Sequence, residues 1–553
     1  MYGNGESIEL GIDINPIIKY QAFNTRNIMS RNIIIALLCA LSTVTSAQVR
    51  WGEWTHWGQQ TDSTYRNPVL PSDYSDLDCI RVGNDYYAIS STMQFSPGMT
   101  VLHSTDLVNW EVVGNAVPDL TQIGPELGWQ RMDRYGRGVW AGSIRHHNNR
   151  FYVFFGTPEE GYFMTSAPEA SGPWEPLTCL MSDAGWDDCT AIWDDKGRGY
   201  FLGTCFRDNC KTYMFRMADD CKSIDLKSAK LINEGNHREA NKLIRHGQYY
   251  YLIFSEHQHH LGRYVMAKRD TKLTGNFKEE RQLLLPCRES NEPNQGGLVE
   301  GPDGNWYFFT HHGSGDWSGR IASLLPVEWV DGWPMIGDRT TGNIGSMVWQ
   351  GMMPAIGKER LTIARSDDFD HAILSPQWQW NYQPRSEMFS LTERPGWMRM
   401  YAFRPLEPNN LFKAGNTLTQ RTWRTPSNCV TVKIDLTHMA DGQHAGLCHF
   451  SAESSGLGIV QEEGVRYIEQ HINGHYIKGE RIVHPYVWLQ TQWGLDGMAT
   501  YYYSLDGDHY TPYGDTYRMV WGHYRGDRIG IYNFNNHTEE GWIDVDYLHY
   551  QLN

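Results

Sequence analysis

One unit recurs five times between residues 76 and 312 of the sequence: a turn of Gly, Asp or Asn precedes an aromatic pair and an apolar strand. The pairs are Tyr86-Tyr87, Phe151-Tyr152, Tyr200-Phe201, Tyr250-Tyr251 and Trp306-Tyr307. The units are about 50 to 65 residues long, the length of a four-stranded β-propeller blade. The repeat therefore predicts a ring of five blades.

Each pair is preceded, at a nearly constant offset, by a residue with the same place in its unit. These five residues are Asp76, Trp140, Asp188, Glu239 and Gln295. Equivalent positions of successive blades face the same axis, so residues far apart in the sequence are expected to meet at one end of a central channel. Because three of the five are acids, the repeat predicts a carboxylate cluster there.

A second kind of pattern follows the repeat, which stops near residues 332–334. From about Asp367 the chain has short strand segments, such as 501–507 and 528–532, without the aromatic pair. Strands of this kind predict a β-sandwich, with a jelly roll preferred, and no long helical period is present. At 553 residues the chain is expected to form two all-β domains, the propeller over 48–366 and the sandwich over 367–553.

Charge and hydropathy exclude two classes of partner. The net charge of -16 disfavours nucleic acid, since neutralising phosphates requires clustered Lys and Arg. The only strongly apolar run, residues 33–41, is too short to span a membrane. Basic Arg31 before it and small residues up to Ala47 after it are typical of a secretory signal. We expect residues 1–28 to be an upstream extension, the mature chain to start near Gln48, and the protein to be exported to the periplasm or outside.

Nine cysteines follow Ala47, and none has the pair spacing of a metal site. A domain of this size does not need disulfides, so we expect mostly buried free thiols, with a Cys205–Cys210 bridge as the alternative. The cluster His257, His259 and His260 is a weak zinc candidate, because a zinc site also needs a fourth ligand position and outer partners.

The three acids suggest a chemistry. Cleavage of a glycosidic bond needs one protonated carboxyl to protonate the leaving oxygen and one ionised carboxylate to activate water or attack carbon. A third carboxylate nearby raises the pKa of the proton donor by repulsion between like charges. The alternative interpretation is that these acids cap turns or pair with Arg, as many Asp and Glu at strand starts do.

The motifs around these residues resemble glycoside hydrolase family 43. They are residues 67–71, 74–76 and 81–87 in the first unit, 192–197 after Asp188, 243–250 after Glu239, and 319–334 in the last unit. The resemblance covers residues 67–340 and implies an inverting enzyme on a five-bladed propeller. It implies Asp76 as the general base, Asp188 as the pKa modulator and Glu239 as the general acid.

Binding residues also follow from the resemblance. Arg320 matches an arginine that contacts substrate, and Trp140 matches a segment that lines the pocket. Gln295 stands where many members have a histidine associated with calcium, so the resemblance leaves a structural calcium ion undecided and implies no required cofactor. The segment after 366 resembles the concanavalin-like sandwich of β-xylosidase and α-L-arabinofuranosidase members, in which a loop, here with Tyr524, can place an aromatic ring at the site.

Two departures from the family pattern stay open. Asp78 lies two residues from Asp76 and competes for the role of base, with Asp76 preferred. Glu239 is followed by Ala240-Asn241-Lys242, where many relatives have Gly-Pro-His. The sequence thus predicts an exo-acting, inverting hydrolase that removes β-D-xylose or α-L-arabinofuranose from plant oligosaccharides or polysaccharides. The alternatives are a catalytically silent glycan-binding protein and an endo-acting arabinanase.

Overall fold

The computed structural model describes residues 56–258, 261–287, 292–293, 295–313 and 315–552. The predicted signal segment and upstream extension lie outside these residues, as do His259 and His260. Within them the regular structure is β-strand, apart from short 3-10 turns at Leu120–Gln122, Pro125–Leu127, Phe206–Asp208, Ser386–Met388 and Leu411–Lys413. The prediction of an all-β chain is confirmed, and no helix of the described part is long and apolar enough to cross a bilayer.

Five antiparallel four-stranded sheets form the propeller, after the short strands β1 (Gly58–Gln59), β2 (Thr64–Arg66) and β3 (Leu70–Asp73). Blade I has β4 (Asp78–Val82), β5 (Asp85–Ser90), β7 (Gly98–Ser104) and β8 (Glu111–Val117), with β6 (Phe95–Ser96) between β5 and β7. Blade II has β9 (Gly142–His147), β10 (Arg150–Thr157), β11 (Gly161–Ala167) and β12 (Thr178–Met181).

The remaining blades continue in the same order. Blade III has β13 (Trp186–Trp193), β14 (Gly199–Cys205), β15 (Lys211–Met217) and β16 (Ile224–Asn233). Blade IV has β17 (Arg238–His246), β18 (Tyr249–Gln258), β19 (Gly262–Asp270) and β20 (Glu279–Leu284). Blade V has β21 (Gly296–Glu300), β22 (Trp306–His312), β23 (Ile321–Val330) and β24 (Trp333–Ile336).

The first strand of each blade lines the axis. Strands β4, β9, β13, β17 and β21 each pack beside the next, and β21 packs back against β4. The start of the propeller is tied to its last blade, because β3 pairs with β23, with Asp73 opposite Ile321. The aromatic pairs of the repeat lie on the second strand of each blade, and at least one ring of every pair is buried.

The sandwich follows β25 (Gln350–Met352), which pairs with β2. Its strands are β26 (Gln379–Asn381), β27 (Phe389–Ser390), β28 (Met398–Tyr401), β29 (Leu418–Arg421), β30 (Asn428–Asp435), β31 (Gln443–Phe450), β32 (Ser454–Glu462), β33 (Val465–Ile472), β34 (His475–Ile482), β35 (Tyr486–Trp493), β36 (Met498–Ser504), β37 (Thr511–Pro512), β38 (Tyr517–Arg518), β39 (Arg528–Asn535) and β40 (Trp542–Leu552). One sheet has the order β34-β33-β32-β31-β39-β29-β26-β6, and the other β27-β28-β40-β30-β35-β36-β37, with β38 paired to β36.

The propeller and the sandwich share a sheet. Strand β6 of blade I pairs with β26, with Ser96 opposite Trp380. The guanidinium of Arg528 lies 3.8 Å above the centre of the Phe95 ring. Backbone hydrogen bonds between the two domains, from Tyr382 to Gln94 and from Arg424 to Pro71, hold loops of the sandwich at a fixed place on the propeller. The predicted boundary after residue 366 stays a prediction.

The cysteines agree with the expectation of free thiols. All nine that the structure describes are unbridged, Cys205 and Cys210 included. Seven of them are buried, Cys429 is partly exposed and Cys179 is exposed.

Candidate active site

A cavity of about 380 Å³ lies at one end of the propeller axis. The seven residues predicted for the site all line it: Asp76, Trp140, Asp188, Glu239, Gln295, Arg320 and Tyr524. A larger cavity, of about 570 Å³, is formed by residues 56–61 and 360–365 with parts of blade I and the sandwich. Its lining contains no Asp or Glu, so it offers no pair of carboxyls for acid and base chemistry.

The three acids sit where the inner strands break their regular pattern. Asp76 (φ +56°), Asp188 (φ +50°) and Ala240 (φ +63°), the residue after Glu239, have left-handed backbone conformations. The pairing of β13 with β14 shifts register between Asp187 and Thr190, and that of β17 with β18 shifts between Glu239 and Lys242. Such bulges re-aim side chains, and here they turn the carboxyls toward the cavity.

Asp76 is held by hydrogen bonds to three residues. Its Oδ1 accepts a hydrogen bond of 2.8 Å from Arg320 Nη1, and its Oδ2 accepts one of 2.6 Å from Ser91 Oγ. Its backbone N–H donates to His311 Nδ1 at 2.6 Å. Burial, followed by the charge of Arg320, lowers the pKa of His311 well below its usual range, so the ring is a neutral acceptor. Asp76 therefore has the partners of an ionised carboxylate.

Arg320 links two acids. Its Nε lies 3.7 Å from Glu292 Oε1, while its Nη1 bonds Asp76. Burial alone would lower its pKa, but the charges of Glu292 and Asp76 outweigh burial and raise it. The guanidinium is thus a fixed positive charge beside Asp76.

Both carboxylate oxygens of Asp188 accept hydrogen bonds from neighbouring blades. Its Oδ2 accepts a hydrogen bond of 2.8 Å from the N–H of Ala240, and its Oδ1 accepts one from the Gln295 amide. Burial raises the pKa of Asp188, and the Ala240 bond and the positive charge of Lys242 oppose that rise. Asp188 is therefore anchored to the strand that carries Glu239.

Glu239 has the environment of a proton donor. Burial is the largest cause that raises its pKa, to about 7, and the negative charges of Asp188 and Asp76 act in the same direction. An ion pair with Arg263 limits the rise. A carboxyl with a pKa near neutrality can be protonated in the free enzyme and still give up its proton during the reaction.

Aromatic rings line part of the cavity. The Tyr524 ring comes from the sandwich and is half-exposed, with its centre 6.3 Å from that of Trp140. The guanidinium of Arg320 lies 5.2 Å from the centre of the Tyr524 ring. The Tyr524 carbonyl accepts a hydrogen bond of 3.0 Å from Ser75 Oγ, next to Asp76, so the sandwich loop is tied to blade I. Trp186 and Phe206 add rings from blade III.

Asp78, the competitor of Asp76, lies outside this cavity. Its Oδ2 pairs with Arg145 at 2.5 Å and accepts a hydrogen bond of 3.0 Å from the N–H of Ile144. Asp78, Arg145 and Lys242 line a different cavity, of about 490 Å³, together with the later parts of the inner strands. Asp78 therefore has a structural ion pair, and Asp76 is the acid that reaches the site.

The described part of the chain has no group of three or more His, Cys, Asp or Glu that could hold a metal ion. A structural calcium ion therefore stays a prediction. Gln295 donates its amide to Asp188, and Lys242 is buried with its ammonium 3.0 Å from the Gly142 carbonyl. Lys242 thus places a positive charge among the inner strands.

Two residues of the cavity were missed by sequence reasoning. Arg263 lies on β19, the third strand of blade IV, whereas the five repeat positions lie at or before the first strand of each blade, so these positions gave no signal for it. Asp187 precedes Asp188 directly, and its signal was the Asp-Asp pair itself. In a regular strand adjacent side chains point to opposite faces, but the register shift brings both into the same cavity.

A glutamate with a raised pKa and an arginine-bound aspartate in one cavity on a propeller axis are the pair of carboxyls that a glycoside hydrolase requires. The family model described as glycosyl hydrolases family 43 matches residues 65–334, and that of the β-xylosidase C-terminal concanavalin A-like domain matches residues 366–551. A curated protein of Formosa agariphila named beta-xylosidase is 30% identical, over 91% of this chain and 93% of its own. The chain belongs to glycoside hydrolase family 43.

Two further relatives agree with this assignment. A protein of Bacteroides ovatus named non-reducing end alpha-L-arabinofuranosidase is 26% identical over 63% of this chain and 67% of its own. The solved structure of a bifunctional GH43-CE protein from Bacteroides eggerthii has a TM-score of 0.78 and 27% identity. It aligns with 88% of this chain, which spans 64% of that longer one. The predicted family, propeller with concanavalin-like sandwich, and enzyme class are confirmed.

Proposed function

We propose that this protein is an exo-acting, inverting glycosidase that releases a terminal pentose from plant-derived oligosaccharides or polysaccharide side chains. The observation that carries the proposal is the placement of Glu239, with a pKa of about 7, and Asp76, bound by Arg320 and Ser91, in one cavity. One carboxyl is suited to give a proton and the other to take one.

Glu239 protonates the glycosidic oxygen as the bond to the anomeric carbon breaks. Asp76 removes a proton from a water molecule, which attacks the same carbon from the opposite face of the sugar and inverts its configuration. Arg320 keeps the Asp76 carboxylate oriented toward this water. Asp188, fixed by Ala240 and Gln295, raises the pKa of Glu239 through its charge.

Exo action is supported by the walls of the cavity. Tyr524 and Trp140 stand at its edge, and the sandwich loop that carries Tyr524 is bonded to Ser75. A terminal sugar fits a site closed in this way better than the middle of a polymer does. Between the pentoses we favour β-D-xylose, because the Formosa agariphila relative, which aligns over most of both chains, is named a beta-xylosidase. No cofactor takes part in this chemistry.

Export through a signal peptide remains part of the proposal. It is supported by the apolar run 33–41 and the small residues that end at Ala47. Polysaccharide fragments as substrates fit a location in the periplasm or outside the cell.

The test is a substrate panel of 4-nitrophenyl β-D-xylopyranoside, 4-nitrophenyl α-L-arabinofuranoside, xylobiose and linear arabinan. Release of nitrophenol from a pentoside and of single pentoses from oligosaccharides is expected. Sugar binding without release would instead favour a glycan-binding protein. Internal cleavage of arabinan without action on the aryl pentosides would favour an endo-arabinanase.

A further inference from the structure

Asp187 is a fourth carboxyl of the cavity that the mechanism does not use. It lines the cavity beside Asp188 and is 6% exposed. Its Oδ1 is buried and has no hydrogen-bond partner in the part of the chain that the structure describes. A buried carboxyl oxygen without a partner costs free energy, so this carboxyl has hydrogen-bonding capacity that the described residues leave unused.

The position of Asp187 is built by its neighbours. The hydroxyl of the fully buried Tyr162 donates a hydrogen bond of 2.6 Å to the Asp187 carbonyl. A Cβ atom at Gly156, on the adjacent blade, would lie 2.5 Å from Asp187 Oδ1 and 2.9 Å from its Cα. Glycine at 156 therefore leaves the space in which the carboxyl lies, and Asp187 is not a mobile surface acid.

The surroundings of Asp187 also set its protonation. Burial raises its pKa well above the usual range, and the charges of Asp188 and Asp76 raise it further. No Lys, Arg or His of the described residues forms an ion pair with it. A raised pKa favours the neutral carboxylic acid, which has one O–H donor and one carbonyl acceptor, a pairing that matches a sugar hydroxyl.

We propose that Asp187 binds the substrate, and that its carboxyl exchanges hydrogen bonds with one ring hydroxyl of the sugar in the cavity. The inference rests on the proposed function, since it requires that a pentose occupy this cavity. It makes Asp187 a specificity residue, because a site built around a hydroxyl discriminates strongly against a sugar that lacks it. It differs in role from Asp188, whose oxygens are already occupied by the protein.

The experiment measures kcat/KM for 4-nitrophenyl β-D-xyloside and its 2-, 3- and 4-deoxy analogues. In the unaltered enzyme, removal of the contacted hydroxyl is expected to lower kcat/KM by about 100-fold. In Asp187→Ala, removal of that same hydroxyl should cost less than about threefold, because the partner is already gone, while the other deoxy substrates keep their penalties. Asp187→Asn, which retains a donor and an acceptor, should keep most of the discrimination.

Two controls make the outcome decisive. Thermal unfolding of Asp187→Ala and of Asp187→Asn, which has nearly the shape of the neutral acid, shows whether each variant keeps the fold. If folded Asp187→Ala leaves the penalty for every deoxy substrate as in the unaltered enzyme, Asp187 does not touch the sugar and the inference is wrong. If the unaltered enzyme cleaves no pentoside at all, the proposed function itself fails, which is a separate and distinguishable result.

Discussion

The backbone N–H of Ala240 donates a hydrogen bond of 2.8 Å to Asp188 Oδ2. Ala240 follows Glu239, so the acid of blade III is bonded to the strand that carries the acid of blade IV. The bond fixes the position of the negative charge that helps to raise the pKa of Glu239. Proton donor and modulator are thereby held as one unit, although 51 positions separate Asp188 from Glu239 in the sequence (239 minus 188).

Glu239→Gln should remove the proton donor and leave the fold intact. We expect kcat on xylobiose to fall by about a thousandfold, and by much less on aryl xylosides whose leaving group needs no proton. The exposed Glu234→Gln, on the loop before β17, is the matched control and should keep full activity. Full activity of Glu239→Gln on xylobiose would remove Glu239 from the mechanism.

The pH profile should report the pKa of Glu239, about 7. Because the acid must be protonated, kcat/KM should fall as the pH rises through this value. The charge of Arg263 lowers this pKa, so Arg263→Met should move the alkaline limb to higher pH, while Arg263→Lys should leave it nearly in place. Measurements of kcat/KM between about pH 5 and 9 test the direction of this shift. A move of the alkaline limb to lower pH in Arg263→Met would contradict the prediction.

Asp76→Asn and Asp78→Asn should fail in different ways. Asp76→Asn should lower kcat per folded molecule by about a thousandfold, because the base is lost, whatever the loss of its ion pair with Arg320 does to stability. Asp78→Asn breaks the buried ion pair with Arg145 and should lower the free energy of unfolding by about 3 kcal/mol, while the folded fraction stays active. Urea unfolding and measurement of kcat per folded molecule distinguish the effects of the two substitutions. The reverse pattern would assign the base to Asp78.

Tyr524 should act in binding. Tyr524→Ala removes the ring against Arg320 and Trp140, and we expect KM to rise about tenfold with a smaller change in kcat. Tyr524→Phe keeps the ring and serves as the control, with near-normal KM. An unchanged KM in Tyr524→Ala would show that the ring does not contact the sugar.

Removal of divalent metal should leave the enzyme active. Lys242 already supplies a positive charge among the inner strands, with its ammonium 3.0 Å from the Gly142 carbonyl. After dialysis against EDTA we expect unchanged kcat/KM, and no gain when calcium is added. A loss of activity that calcium restores would contradict this prediction and reveal a calcium site.

The repeat was enough to predict much of the site, for a physical reason. Equivalent positions of the blades face one axis, so Asp76, Trp140, Asp188, Glu239 and Gln295 could be placed together without a structure, and they line one cavity. Their roles stay predictions until variants are measured. The five blades could be predicted because the aromatic pairs mark the second strand of every sheet.

Other features could not be read from the sequence, because they depend on local backbone geometry and long-range pairing. The left-handed conformation of Asp188 and the register shift beside it bring Asp187 into the cavity, against the alternation of a regular strand. Arg263 reaches Glu239 from β19, the third strand of blade IV, outside the five repeat positions. The paired strands β6 and β26, which fix the sandwich on blade I, are too short to show a pattern.

The central claim is that Glu239 and Asp76 act on opposite faces of the sugar and invert its configuration. Proton NMR of the first product formed from an aryl β-D-xyloside, at an enzyme concentration that outpaces mutarotation, tests it directly. We expect α-xylose to be the first product, followed by slow appearance of the β-anomer through mutarotation. If β-xylose appears first, the configuration is retained, and the assignment of Asp76 as a base that activates water is wrong.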